Sequence, residues 1–284
     1  MIATFVIFLR ETVEAALVVA MLLAYLDRVK RRDLFRDVFL GVITALGLAG
    51  IFGVVAYETI RTYAGSRVQT IFETATYILA CSILTYMTFW MRSHAKTISK
   101  DLARRAGQAI DGRGRIALFL LSFQSVGREG VETVVFTLAI LFAQSSHYPL
   151  LGGLAGLVVG LSISLAIFKY GKKMDIGKFF TVAGTVLIFF AAGLLSDVIE
   201  NLNQLGWITL FNQPIWNTSS FLAESSAFGD VLHSLVGYAQ QPSILQAIVY
   251  IGYLSSAVYL FVRVGSKRRS NYKPEDIEAV RTQE

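Results

Sequence analysis

The sequence predicts an all-α, polytopic membrane protein, and three observations support this fold class. First, 54% of the 284 residues are hydrophobic and only 16% are charged, whereas soluble globular domains carry about 25% charged residues. Second, the apolar residues come in long blocks, and the mean hydropathy is +0.56. Third, lysine and arginine concentrate in alternate connections between these blocks. The bilayer is therefore the expected solvent of this chain.

Seven apolar blocks are long enough to cross a membrane, since a spanning helix needs about 20 residues. We predict spans 1 to 7 over approximately 2–26, 37–59, 69–91, 116–143, 149–168, 178–198 and 244–263. Together they form one transmembrane domain over 1–264. This domain includes an extracytoplasmic segment, 199–243, and is followed by a cytoplasmic tail, 265–284.

The basic residues predict the orientation of these spans. The connections after spans 1, 3 and 5 hold five, seven and four lysines and arginines, whereas those after spans 2, 4 and 6 hold two, none and none. By the positive-inside rule, the N-terminus lies outside and the C-terminus lies in the cytoplasm. The net charge of +6 is thus an orientation signal, and we expect no nucleic-acid partner.

Spans 1 and 4 carry the same charged pattern near their midpoints. Span 1 contains Arg10-Glu11-Thr12-Val13-Glu14, and span 4 contains Arg128-Glu129-Gly130-Val131-Glu132. A charge at this depth costs roughly 2.5–3.5 kcal/mol on insertion scales, so intramembrane ionisable residues suggest a functional site. Residues three or four apart share one helix face, which brings each arginine and its two glutamates together. Ser122 and Ser125 extend this polar stripe of span 4 and indicate a possible polar path.

Three spans separate one motif from the other, so the two motif helices run in opposite directions. Spans 1–3 (about 1–92) and 4–6 (about 116–198) are therefore predicted to form an inverted repeat, with span 7 added. Such repeats share a site at the bilayer midplane. We expect four carboxylates, from Glu11, Glu14, Glu129 and Glu132, to meet there.

The charges of this predicted site favour a cation. Four glutamates and two arginines leave a net charge of −2, which a dry site does not hold without a proton or a bound cation. Oxygen-only ligation suits a hard cation such as Fe³⁺, Mg²⁺, Ca²⁺ or Mn²⁺. None of the three histidines lies mid-span, which argues against zinc or copper. Arg10 and Arg128 would orient the glutamates and balance their charge. The alternative is a structural ion-pair network that locks the two helices together.

Acidic residues on the predicted outer side suggest an entrance for a cation. Glu58, Glu73, Asp197 and Glu200 are the candidates, against the two basic residues Arg61 and Arg67. Like-signed charge at an entrance concentrates the opposite ion. The alternative is that these are ordinary helix-end carboxylates facing water.

The chain resembles the oxidase-dependent iron permease family, which comprises fungal high-affinity iron permeases and bacterial EfeU-type permeases. The resemblance covers essentially the whole chain and depends mainly on the two motifs. The stretch Thr88-Phe89-Trp90-Met91-Arg92 and the run Gly237-Tyr238 … Pro242-Ser243 also resemble the bacterial branch. One departure is Thr12, which stands where family members usually have glycine; we expect looser packing of span 1 there.

The resemblance implies iron uptake across the bacterial cytoplasmic (inner) membrane, with the motif glutamates as iron ligands. It also implies an extracytoplasmic oxidation step that supplies Fe³⁺, and as partners a periplasmic iron-binding protein and a haem peroxidase. Iron would be the transported substrate, with no permanently bound cofactor.

Two other functions can be compared with the sequence pattern. A di-iron enzyme is disfavoured because such sites use Glu-x-x-His pairs, and the spans contain none. A proton- or Na⁺-coupled transporter of another divalent metal or a small solute remains the alternative. Such transporters use an unwound helix at the site, yet no proline interrupts a predicted span.

Overall fold

The computed structural model describes residues 2–94, 98–111, 114–143, 149–170, 176–224 and 226–270. These residues are almost entirely helical, and the only strand-like pairing among them is an isolated bridge between Pro214 and Ser243. A short 3₁₀ helix, Arg32–Leu34, precedes the second long helix. The α-helices are α1 (Ile2–Arg28), α2 (Phe35–Arg61), α3 (Arg67–His94), α4 (Ile98–Asp111), α5 (Arg115–Ala143), α6 (Pro149–Tyr170), α7 (Ile176–Gln204), α8 (Ala227–Val236) and α9 (Ile244–Ser270).

Each predicted span coincides with one long helix, namely α1, α2, α3, α5, α6, α7 and α9. Two helices extend beyond the predicted spans. Helix α7 continues to Gln204, so Glu200 also lies on this helix. Helix α9 continues to Ser270, which includes the first part of the predicted tail; the rest, 271–284, lies outside the described residues.

Four helices are long and apolar enough to cross a membrane on length and composition within the described ranges. They cover Arg32–Arg61, Arg67–Ser93, Thr181–Gln204 and Ile244–Arg263, and Leu151–Ala166 in α6 is a shorter apolar helix. Helices α1 and α5 each carry three mid-helix charges, so composition alone does not mark them as spans. The chain is a multi-pass membrane protein in which these two charged helices lie against the apolar ones.

Helices α1 and α5 pack against each other, and each is also covered by a helix from the other half of the chain. Helix α2 packs along α5, helix α6 packs along α1, and α3 pairs with α7. Small residues permit both close contacts. A methyl group on Gly156 would collide with the carbonyl oxygen of Phe5, and one on Gly130 would lie 2.9 Å from Cβ of Ala49.

Apolar cores fill both ends of the bundle. One core lies among α1, α3, α5 and α7 and includes the buried side chains of Ile7, Leu84 and Phe136. A second core joins α1, α2 and α5 to the short helix α4 through Leu22, Leu118 and Ala106. The motif residues lie on α1 and α5 between these two cores.

Candidate metal site

The motif on α1 forms a tight, buried ion-pair network. Nη1 of Arg10 lies 2.6 Å from Oε1 of Glu11, and Nε of Arg10 lies 2.8 Å from Oε1 of Glu14. All three residues are at most 5% exposed. The four-residue spacing of Arg10 and Glu14 places them one helical turn apart. A single guanidinium therefore holds both carboxylates of this helix.

The motif on α5 repeats this arrangement more loosely. Arg128 lies 3.2 Å from Oε1 of Glu129 through Nη2, and 3.2 Å from Oε1 of Glu132 through Nε. Its side chain is 45% exposed, whereas that of Arg10 is 3% exposed. Arg128 also contacts Sδ of Met87 at 3.3 Å, and its Cζ lies 5.4 Å from the ring centroid of Trp90. The two arginines thus differ in how firmly their surroundings fix them.

Three of the four motif glutamates converge. Glu11, Glu129 and Glu132 each offer a carboxylate oxygen, and these oxygens all lie within 4.8 Å of one another. Glu14 is outside this group and keeps its contact with Arg10. The expected meeting of carboxylates from the two motif helices is thus found in the structure for three residues, with Glu14 beside them. We call the two motifs together, Arg10, Glu11, Glu14, Arg128, Glu129 and Glu132, the central cluster.

The converging carboxylates have spare acceptor capacity. Within the described part of the chain, Oε2 of Glu11, Glu129 and Glu132 is buried without a hydrogen-bond partner. Buried polar atoms are normally satisfied, and an orphan needs an explanation. Like charges this close also repel unless a proton or a cation lies between them. The arrangement can hold a hard cation through oxygen ligands from both helices.

Thr12 contacts α6, and the expected looseness at this position is wrong. A methyl group on Gly160 would lie 2.8 Å from Cβ of Thr12, so the helices already touch. On α5 the motif itself supplies the small residue, Gly130, which faces Ala49 of α2. Each motif helix therefore lies close to its neighbour. In the contact of α1 with α6 the glycine is Gly160 on α6, and in the contact of α5 with α2 it is Gly130 on α5.

The predicted entrance residues lie on three helices. Glu58 lies near the end of α2, is exposed, and pairs with Arg61 at 3.6 Å. Glu73 lies on α3 and accepts a hydrogen bond from Nε2 of Gln69 at 2.7 Å. Asp197 and Glu200 lie near the end of α7, and together with Glu73 they surround the hydroxyl of Tyr77. Their role as an entrance stays a prediction.

His233 was not singled out from the sequence, yet it organises the acidic residues at the end of α7. Its Nε2 lies 3.9 Å from Oδ2 of Asp197, and its Nδ1 lies 3.2 Å from Oε1 of Glu224 and 2.8 Å from the carbonyl oxygen of Tyr238. Burial lowers the pKa of His233, but the carboxylates of Asp197 and Glu224 outweigh it and raise the pKa above its ordinary value. We call Asp197, Glu200, Glu224 and His233 the outer cluster.

Helix α8 brings His233 to α7. The hydroxyl of Ser226 accepts a hydrogen bond from the backbone N–H of Gly229, which caps the start of α8. Gly237 ends it in a left-handed conformation with φ of 67°. At Gly237 the chain also approaches Gly193 of α7 so closely that neither position has room for a side chain. The Ser-x-x-Gly start and the Gly237 stop are the sequence signals that could have predicted this helix.

The two serines of the predicted polar path lie on α5. Ser122 is fully buried, and a methyl group on Gly41 of α2 would collide with its hydroxyl. That hydroxyl donates to carbonyl oxygens of its own helix, at Leu118 and Phe119. Ser125 likewise donates to the carbonyl of Leu121 at 2.7 Å. Close packing of α2 on α5 therefore explains why a small residue stands at position 122.

The fold and the site define a class: a multi-pass helical membrane protein with a buried carboxylate site that can accept a hard cation. Comparison with known families narrows this class. The model of the iron permease FTR1 family matches residues 1–267. The chain belongs to this family.

Several similar proteins carry a more specific name. The ferrous iron permease EfeU of Yersinia pestis is 33% identical over 263 residues, which is 92% of this chain and 93% of that protein. The protein of the same name from Yersinia pseudotuberculosis is 34% identical over 266 residues, again 92% and 93% of the two chains. The one from Escherichia coli is 31% identical over 265 residues, 92% and 95% of the two chains. No solved structure matches this chain.

Proposed function

We propose that this chain imports iron across the bacterial cytoplasmic membrane and that Glu11, Glu129 and Glu132 bind the ion at the bilayer midplane. The observation that carries the proposal is the convergence of these three buried carboxylates, each with an unpartnered oxygen. They come from two helices of a chain that belongs to an iron permease family. Arg10 and Arg128 balance part of the negative charge, which keeps binding weak enough for release. Glu14 remains beside the site as the second partner of Arg10.

The proposed architecture is seven spans, with the N-terminus outside and the C-terminus in the cytoplasm. Helices α1–α3 and α5–α7 would be inverted repeats, and α9 would be the additional span. The reciprocal packing supports this, because the second helix of each half covers the motif helix of the other half. An axis in the membrane plane that exchanges α1 with α5 also exchanges α2 with α6 and α3 with α7.

We further propose that the ion bound at the central cluster is ferric and is supplied by an extracytoplasmic oxidation step. Oxygen-only ligation and a net negative site favour the harder, more highly charged ion. The curated relatives are named ferrous iron permeases, so uptake must be measured with iron in both states. A periplasmic iron-binding protein and a haem peroxidase would be the partners that deliver and oxidise the metal.

The test is radioactive iron uptake into cells that express the full chain, under reducing and oxidising conditions and against a panel of other metals. Glu11→Gln and Glu129→Gln remove one ligand charge each with little change of shape. Each should lower uptake by about 100-fold or more, equivalent to roughly 2.7 kcal/mol. Folded protein should be present at the wild-type level.

The matched control is Glu200→Gln, which makes the same chemical change on a carboxylate outside the central cluster. Its uptake should stay close to that of the unaltered chain. Normal uptake by Glu11→Gln or Glu129→Gln would overturn the site, and equal uptake of all metals would overturn iron selectivity.

A further inference from the structure

A cavity connects the central cluster with the exposed end of α2. It has a volume of about 840 Å³ and lies among α1, α2, α5 and α6. At one end its walls include the buried carboxylates of Glu11 and Glu129; at the other they include Tyr57 and Glu58, both exposed. A cavity of this size holds several water molecules where polar groups are present to bind them.

Polar groups follow one wall of this cavity. Glu129, Thr133 and Thr137 lie four residues apart on α5 and line the cavity on the same helix face. The hydroxyl of Thr133 donates to the carbonyl of Glu129 at 2.7 Å, and that of Thr137 donates to the carbonyl of Thr133 at 2.6 Å. Since each hydroxyl uses its proton on its own helix, its oxygen lone pairs remain for water or a cation.

Helix α2 lines the cavity with both large and small residues. Leu46, Val54 and Tyr57 contribute side chains, whereas Gly50 contributes only its backbone. A methyl group on Gly53 would lie 3.1 Å from Val134 of α5, but one on Gly50 would meet nothing within 4 Å. Position 50 therefore has free space beside the cavity.

Two other approaches to the central cluster are filled by apolar side chains. Among α1, α3, α5 and α7, Ile7, Leu84 and Phe136 are at most 1% exposed, and the same core includes Leu194 and Val198 beside Asp197. At the far end, Leu22, Leu26 and Leu118 are fully buried. The side chain of Arg128 does not line the cavity and is 45% exposed, so the central cluster also reaches the surface at this arginine.

We propose that the ion enters through this cavity and not past the outer cluster. Glu58 attracts the cation at the mouth, Thr137 and Thr133 offer oxygen ligands on the way, and Glu11 and Glu129 receive it. The inference rests on the proposed function and on the proposed orientation, which places the end of α2 outside. It assigns Glu58 a role in uptake and removes Asp197 and Glu200 from the route.

Cysteine labelling tests the route. In a Cys81→Ala background, Gly50→Cys places a thiol in the cavity, and Gly47→Cys is the matched control. Both glycines lie on α2 and have free space around them, but Gly47 does not line the cavity. A charged, membrane-impermeant methanethiosulfonate added outside intact cells should label Gly50→Cys and lower iron uptake at least about tenfold, because it blocks the route. Gly47→Cys should stay unlabelled and active.

A second variant, Thr137→Cys, probes the facing wall, so that the test does not depend on one substitution. It should react from outside as Gly50→Cys does. If both cavity thiols resist the reagent, or react only from the cytoplasmic side, while uptake is normal, the route is wrong and the proposed function stands. If the unaltered chain is folded but imports no iron, the proposed function fails, whatever the labelling shows.

Uptake kinetics separate the two candidate entrances. Glu58→Gln should reduce uptake at low iron concentration on the order of tenfold, because like-signed charge at a cleft raises the encounter rate. The loss should shrink at high ionic strength and disappear at saturating iron. Glu200→Gln should show none of these effects. The opposite result, a loss with Glu200→Gln and none with Glu58→Gln, would overturn the route.

Discussion

The central and outer clusters are both made of half-buried or buried carboxylates with a cation beside them, but they differ in what their oxygens contact. In the central cluster, Glu11, Glu129 and Glu132 each keep an oxygen that has no partner among the described residues. In the outer cluster, His233 lies between Asp197 and Glu224. Nε2 of Gln246 donates to Glu200 at 3.4 Å. A cluster of acidic residues alone therefore does not indicate a metal site. What distinguishes the central cluster is that three carboxylates converge and each has an oxygen without a partner.

The first prediction tests whether a buried arginine keeps the central carboxylates together. Arg10→Met should lower the free energy of unfolding by about 3–5 kcal/mol, because removing one partner leaves buried charges uncompensated. Arg128→Met should cost clearly less, since the side chain of Arg128 is 45% exposed and its contacts with Glu129 and Glu132 are longer, at 3.2 Å each. Chemical unfolding in detergent, followed by circular dichroism, measures both. Equal losses would mean that the different burial of the two arginines has no energetic consequence.

The second prediction compares the clusters directly through metal-dependent stability. Iron at 100 times its dissociation constant should stabilise the folded chain by about 2.7 kcal/mol. Asp197→Asn in the outer cluster should keep this stabilisation, whereas Glu132→Gln should lose most of it. Thermal unfolding with and without iron measures the difference. If Asp197→Asn abolished the stabilisation by iron and Glu132→Gln did not, the iron site would be the outer cluster and not the central cluster.

The third prediction concerns Glu14, the motif carboxylate outside the converging three. Glu14→Gln should weaken iron binding roughly tenfold, about 1.4 kcal/mol, because the change acts through Arg10 and the charge of the site. Glu11→Gln on the same helix should have a far larger effect. Iron titration of the purified variants gives both values. A loss for Glu14→Gln as large as that for Glu11→Gln would make it a direct ligand.

The fourth and smallest effect is the pH dependence of the outer cluster. Because the pKa of His233 is raised in the folded protein, its contribution to stability is present below its ordinary value of about 6.5. It is lost as the pH rises through the higher, folded value. The groups that face it are Asp197 and Glu200 of α7, Glu224, and the carbonyl of Tyr238.

Hydrogen exchange of the α8 amides measures this effect. In the unaltered chain, protection should fall with rising pH by on the order of 1 kcal/mol. His233→Gln should remove this dependence and leave a constant, lower protection. An unchanged profile in His233→Gln would show that other groups control the docking of α8.

The spans and the motifs could be predicted from the sequence because both depend on local rules. The hydropathy of a segment predicts a spanning helix without any knowledge of its tertiary contacts. The three-residue spacing of Glu11 and Glu14 places both on one helix face. The end of α7 was missed because the segment after residue 198 is amphipathic and contains Asn201 and Asn203, which are less typical of a span. Helix α8 is short, and its capping residues, Ser226 and Gly237, were not recognised as a signal.

Contacts between distant residues could not be predicted in this way. Whether three or four glutamates converge depends on the relative rotation and depth of α1 and α5, which the packing of α2 and α6 determines. The pairing of His233 with Asp197 joins residues 36 positions apart, and neither residue alone distinguishes an entrance from an internal ion pair. The cavity is lined by residues of four helices, and the small residues of α2 among them predict only close packing from their spacing.

The contact between Thr12 and Gly160 makes two positions of the chain interdependent. The space between α1 and α6 at this point is limited, and a side chain from either helix can occupy it. Gly160→Ala alone would force the helices apart beside Glu11, and Thr12→Gly alone would leave a void. The two changes together would remove the contacts with Thr12 and leave the carbonyl oxygen of Leu9 3.0 Å from the new methyl group. The double variant should therefore be more stable than Gly160→Ala alone, and the backbone of α1 then sets the limit for any larger residue at position 160.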